Sequence, residues 1–240
     1  MFKVTKLVHL ADDADASTGA ALAGRLREAA VPGARRVLVK PTLPGGINGG
    51  DVIAHLHFDD ECHWRAVEPD ITAQLCAPEI AHIDSVGYAG VPTPARRHVE
   101  PTVYRTLFVS VDDSVDPAVV ERFESETRAM PTHIRTIGTS QLSRVHESAG
   151  SARWTHVWEQ EYANLDGILG PYMTHPYHWA HIDRWFDPER GPRIVTRLCH
   201  SFCAIDGPTI TVAAPATRRR TQGDASPRMR VARRARRLRN

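Results

Sequence analysis

The sequence predicts an α+β protein built from two tandem ferredoxin-like repeats that close an intrachain α+β barrel. Three observations carry that prediction. The order β-α-β-β-α-β, the ferredoxin-like unit, is legible twice along the 240 residues. The paired acids Asp12-Asp13 and Asp112-Asp113 each follow a strand, one hundred positions apart. A ferredoxin-like sheet has helices on one side and leaves its other face in need of a partner, which a second copy supplies. Eight strands closed in this way enclose an interior wide enough for side chains or one small ligand.

The first repeat is expected over residues 1–100. Phe2–Leu10 alternates as a strand, and Ser17 or Thr18 caps a helix whose apolar positions Leu22, Leu26 and Ala29 recur at helical spacing. Pro32-Gly33 ends that helix. Arg36–Thr42 and Val52–Phe58 read as strands, joined by the glycine-rich connection Pro44–Gly50. Asp59–Ile80 is helical in parts, with breaks expected at Pro69 and Pro78, and Ile83–Tyr88 is a closing strand. The glycine-rich connection joins two strands and has no helix behind it, so it reads as a hairpin loop and not as a phosphate cradle.

The second repeat is expected over residues 101–207. Val103–Val111 is a strand, and Asp116-Pro117 is an N-cap followed by proline at the first helical position. Val120, Phe123 and Thr127 continue the buried face of that helix up to Met130-Pro131. Arg135–Val145, Arg153–Tyr162 and Ile194–Ile205 read as the remaining strands, with a helix starting near Pro176 after a turn at Thr174-His175.

Charge divides the chain unevenly. Arg218–Asn240 holds ten arginines and one aspartate, a charge of +9, which leaves −7 on residues 1–217 out of a formal total of +2. Residues 208–240 are therefore expected to form a basic disordered tail. Nucleic-acid contact is confined to non-specific attraction through that tail, which has no aromatic residue interleaved with its arginines. No apolar run reaches the ~20 residues a membrane span needs, so the expected location is the cytoplasm, with no membrane partner. Cys62, Cys76, Cys199 and Cys203 lack Cys-x-x-Cys spacing and read as reduced thiols.

The chemistry concentrates in Tyr172–His181, which holds two tyrosines and three histidines within ten residues. Tyr172 and His178 meet across the turn before Pro176. A phenol and an imidazole facing one cavity form an acid/base pair that needs no metal or organic cofactor. His175, His178 and His181 lack a completing carboxylate, so neither a metal nor a cofactor is expected there. Trp154, His156 and Trp158 share one face of their strand and Glu159 takes the other. His175, His156, Trp154, Trp158, Glu159 and His9 are the candidate substrate-binding residues. His55 and His57 share a face in the first repeat, with His9 as a neighbour, and read as satisfied histidines.

Tyr172-x-x-His175-Pro176-x-His178 resembles the signature of the Dabb family, the stress-responsive dimeric α/β-barrel proteins, among them plant polyketide cyclases. The resemblance covers Val103–Ile205 well and Phe2–Tyr88 weakly, because the first half has no His-Pro-x-His. It implies an α+β barrel, normally formed by two chains, and catalysis through Tyr172 and His178. The function it suggests is a cofactor-independent lyase, cyclase or isomerase acting on a small hydrophobic carbonyl compound, of polyketide or aromatic-degradation type. The alternatives are a non-catalytic stress-responsive barrel that binds a small ligand or oligomerises, with a homodimer left open, and a haem-binding oxidative enzyme.

Overall fold

The computed structural model describes residues 1–210 apart from Val31 and His98. The Arg-rich segment lies outside the described residues. Pro208–Ile210, which the charge pattern had placed with the tail, is described. Thr209 and Ile210 are buried, and their N–H groups both donate to Glu161 Oε1, Ile210 at 2.6 Å.

Eight strands, β1 (Phe2–Leu10), β2 (Arg36–Pro41), β3 (Val52–Phe58), β4 (Ile80–Ala89), β5 (Val103–Val111), β6 (Ser140–Ala149), β7 (His156–Tyr162) and β8 (Val195–Ala204), form one antiparallel sheet. Their order is β2-β3-β1-β4-β6-β7-β5-β8, the same arrangement twice in succession. The halves join where β4 pairs with β6, from Ser85↔Ala149 to Tyr88↔Val145. The opposite seam is closed by the connection after β2. Leu43 N donates to Phe202 O (2.8 Å), and Ile47 and His200 exchange backbone hydrogen bonds at 2.9 and 2.7 Å. Its glycines make this approach feasible. A Cβ on Gly49 or Gly46 would come within 2.5 or 2.7 Å of the His200 carbonyl oxygen, and Gly50 has φ +69°. The segment read as a free hairpin loop is thus the clasp of the barrel.

Helices α1 (Ala16–Ala30), α2 (Glu61–Leu75) and α3 (Pro117–His133) pack on the outer faces. Asp15, not Ser17 or Thr18, caps α1, its Oδ1 accepting from Thr18 N at 2.8 Å. Asp116 caps α3 as expected, accepting from Ala118 N. The break expected at Pro69 does not occur. Trp64, Val67, Ile71 and Leu75 bury one continuous face on both sides of it, and this packing outweighs the one hydrogen bond that proline removes. β6 starts at Ser140, five residues later than expected, because α3 runs through Pro131 to His133.

Alternation along the strands separates two layers. Odd positions of β5 and even positions of β7 face α3, while Lys3, Thr5, His55, His57, Tyr104 and Glu159 point between the two half-sheets. The interior expected to hold a ligand is filled. Leu7, Ile53, Val86, Phe108, Trp154, Val157, Cys199 and Cys203 pack around a polar centre. There Lys3 Nζ sits 3.0 Å from both Glu159 Oε2 and Gln141 Oε1, Tyr104 OH donates to Glu159 Oε1 (3.1 Å), and Thr5 Oγ1 meets His55 Nδ1 and Tyr88 OH.

Candidate active site

The cavity lies on the other side of the second half-sheet, beneath α3 and the chain that follows β7. It measures about 180 Å³. Its floor is apolar, with Leu107, Val109, Phe123, Met130, Leu142 and Trp158, and its polar groups are Arg105, Thr127, Tyr172, His178, Asp183 and His200. The first half contributes one lining residue, Ile47, carried there by the clasp.

Two short π-helical segments, Ile168–Tyr172 and His178–Ile182, deliver the phenol and the imidazole. They flank a break at His175, with helix resuming at Pro176 as the proline requires. Each segment widens a turn, a distortion common at functional sites. The Tyr172 and His178 rings contact edge to face, with centroids 4.8 Å apart, and both residues are buried. His178 Nδ1 lies 3.0 Å from Asp183 Oδ1 but is not aligned as a hydrogen bond, so distance alone relates the pair. Asp183 is itself held by Arg190 Nη1 at 2.7 Å.

Burial lowers the His178 pKa below its usual value, Arg105, Arg190 and His175 add to the effect, and Asp183 opposes it. The ring is therefore neutral at neutral pH and able to accept a proton. Arg105, 5% exposed, donates from Nη1 to Tyr172 OH (3.2 Å) and to Gln160 Oε1, and from Nε to His200 Nε2 (2.7 Å). Burial, then Arg105, pushes the His200 pKa down to about 2, so this histidine is a neutral acceptor.

Of the eight sequence candidates, Tyr172, His178 and Trp158 meet in this cavity and the other five do not. His175 turns away, its Nδ1 accepting from Tyr177 N at 3.1 Å. His156 shares the helix-facing side with Trp158 but pairs with Glu124 Oε1 of α3 at 3.0 Å and lines a separate surface depression. Trp154 lies before β7 begins and packs on the opposite, inner layer, donating from Nε1 to Asp84 Oδ1 at 3.0 Å. Glu159 is inside the barrel. His9 stands at the barrel end beside His82, its Nε2 3.8 Å from Asp84 Oδ2. Arg105, Asp183, Gln160, His200 and Ile47 escaped the sequence reading. Arg105 had a signal, as the one charge inside the strand Val-Tyr-Arg-Thr-Leu-Phe-Val-Ser-Val.

Among the described residues, His55, His57 and Glu159 bring their donor atoms within 4.8 Å of one another, close enough for a metal ion. Lys3 already neutralises that carboxylate, and the two Nε2 atoms are 2.6 Å apart, nearer than two ligands about 2.0–2.1 Å from a tetrahedral zinc. The group reads as a buried ion-pair network. A haem does not fit the outer cavity either, since about 180 Å³ falls below even the usual ~300 Å³ of small-ligand sites.

Residues 103–198 match the stress responsive A/B barrel domain, Dabb. No curated protein matches the chain. Solved structures with a similar fold include an anthrone oxidase-like protein, at 8% identity and TM-score 0.57 over 89% of this chain and 96% of that one. A candidate monooxygenase from Fusobacterium nucleatum subsp. nucleatum aligns at 10% identity and TM-score 0.54, over 89% and 97%. A candidate chlorite dismutase aligns at 11% and 0.51, over 85% and 95%. At these identities the likeness concerns the fold alone. Among the described residues, no helix is long and apolar enough to cross a membrane.

Proposed function

We propose that the outer cavity of the segment matching the stress responsive A/B barrel domain, residues 103–198, carries out cofactor-independent acid/base chemistry on a small, apolar carbonyl compound, as a lyase, cyclase or isomerase. The observation that carries this reading is the convergence of a neutral, buried imidazole and a phenol at the edge of an apolar cavity. With Nδ1 turned toward Asp183, His178 has Nε2 left to take a proton from the carbon beside a carbonyl. Tyr172 OH, held by Arg105, donates to the oxygen on which negative charge develops. Asp183 steadies the imidazolium that forms. The electron pair of the broken C–H bond becomes the enolate, which then reprotonates, eliminates or closes onto a second carbonyl.

The cavity volume sets the substrate at about one ring or a short chain. The test is hydrogen–deuterium exchange beside the carbonyl of one-ring ketones such as acetophenone and 1,3-cyclohexanedione, followed by NMR. Tyr172→Phe and His178→Ala are each expected to slow the enzyme-dependent exchange by roughly 10²–10⁴-fold, the usual size of an acid/base contribution. Exchange that survives both substitutions would sink the assignment to Tyr172 and His178, and no enzyme-dependent exchange in the wild-type protein would leave the rival reading, a non-catalytic barrel that binds a small ligand or oligomerises.

A further inference from the structure

Arg105 is a buried cation without an anion. Its three acceptors, Tyr172 OH, Gln160 Oε1 and His200 Nε2, are all uncharged, and among the described residues no carboxylate oxygen lies within 4.0 Å of it. These three bonds use Nε and Nη1 and none of them uses Nη2. The contrast with the other buried basic side chain is direct, because Lys3 sits 3.0 Å from Glu159. Asp183 shares the cavity, yet it belongs to Arg190 and His178. Taking a guanidinium out of water without a counter-ion is strongly unfavourable, and buried charges are ordinarily paired. The guanidinium also stands with its Cζ 5.0 Å from the centre of the Tyr172 ring, so an anion bound to it lies beside the candidate acid/base pair.

We infer that Arg105 is the anchor for a carboxylate, and that the cavity takes a small monocarboxylate with an apolar body of about one ring. One carboxylate oxygen of the ligand accepts from Nη2, and its body fills the space among Leu107, Phe123, Met130, Leu142 and Trp158. Among the described residues, Arg105 is the one Lys or Arg side chain lining the cavity and Asp183 is its one carboxylate, already held by Arg190, so a single negative charge is matched and a dianionic phosphate is disfavoured. Combined with the proposed reaction, on which the substrate assignment rests, this makes the substrate a small acid that also carries an enolisable carbonyl.

Binding separates this inference from the reaction, because it is measured without turnover. Titration calorimetry with benzoate, benzamide and phenyl phosphate on the full chain is the experiment. Benzoate is expected to bind roughly ten- to a hundredfold more tightly than benzamide, the size of one charge-assisted hydrogen-bonding contact, and phenyl phosphate more weakly than benzoate. Arg105→Gln is expected to abolish the preference for benzoate. If that variant fails to fold, the wild-type comparison still decides. Equal binding of benzoate and benzamide, or tighter binding of phenyl phosphate, overturns the inference, as does a benzoate preference that persists in a folded Arg105→Gln protein. Ketone exchange without benzoate preference would sink the carboxylate anchor and keep the acid/base reading. Benzoate preference without ketone exchange does the reverse.

Discussion

Replacing Lys3 by methionine tests whether the polar centre of the barrel holds the two halves together. Lys3 lies on β1 and its partners Gln141 and Glu159 on β6 and β7, so each of its contacts crosses from one half to the other. Lys3 is 1% exposed and Glu159 0%. Methionine keeps most of the stem volume but removes the charge, leaving a carboxylate inside the protein with the uncharged Tyr104, Tyr88 and His55 around it and, among the described residues, no cation. Breaking a buried pair in this way costs about 3–5 kcal/mol, a large share of the ~5–15 kcal/mol that stabilises an ordinary domain. At roughly 2–4 °C per kcal/mol for a chain of this size, the midpoint of melting should fall by about 6–20 °C. Guanidinium titrations followed by far-UV circular dichroism measure the free energy, with Lys40→Met as the control, since the Lys40–Asp206 pair is exposed and expected to contribute nothing measurable. The double variant Lys3→Met/Glu159→Gln removes both charges and should recover at least half of the loss. A Lys3→Met cost below about 1 kcal/mol, or a double variant whose losses simply add, would refute the reasoning.

Three further outcomes follow from other parts of the structure. The His178 pKa is lowered on folding, so the ring's contribution to stability is full above the unfolded value near 6.5 and is lost as pH falls through the folded one. The acidic limb of a pH–rate profile should accordingly lie below 6.5, and Asp183→Asn, which removes the group opposing the shift, should move it lower still; an unmoved limb would assign it to another residue. Gly49→Ala places a Cβ 2.5 Å from the His200 carbonyl and is expected to open the clasp, costing about 1–3 kcal/mol and raising hydrogen exchange in β8. Burial raises the Cys199 and Cys203 thiols to about 12, while Cys62 and Cys76 are exposed, so a thiol reagent should label two cysteines in the native protein and four after denaturation.

The strand and helix sequence was legible because it rests on local signals: the alternation of Phe2–Leu10, the cap at Asp116-Pro117, the proline after His175. What escaped depends on partners far along the chain. Trp154 was given the face of Trp158 by counting in twos, but regular β7 begins only at His156, so the count started outside the strand. Pro69 broke the helix on paper because its cost is local, whereas the burial of Trp64 and Ile71 that outweighs it is tertiary. Glu159 was correctly set on the face opposite His156, yet nothing nearby in sequence says that Lys3, 156 positions earlier, neutralises it. The glycine cluster at 45–50 announced freedom of conformation, and only the position of His200 shows that the need was close approach.

The two halves repeat one fold but divide the work, and the positions facing the helices show how. Matching β1 with β5 and β3 with β7 sets Val4 against Arg105, Ala54 against Trp158 and Leu56 against Gln160. In the first half these residues join a dry cluster with Trp64, Val67, Ile71 and Leu75, where a helix covers the sheet completely. In the second half the corresponding cover is the broken stretch from Ile168 to Trp185, whose π-helical turns leave room above the sheet and carry Tyr172 and His178 to its edge. A regular helix in place of that stretch would close the chamber by the same packing that fills the first half. The site therefore depends on the irregularity of its cover as much as on the identity of its residues, and the first half, by clasping β8 and placing Ile47 at the rim, holds the sheet beneath it in register.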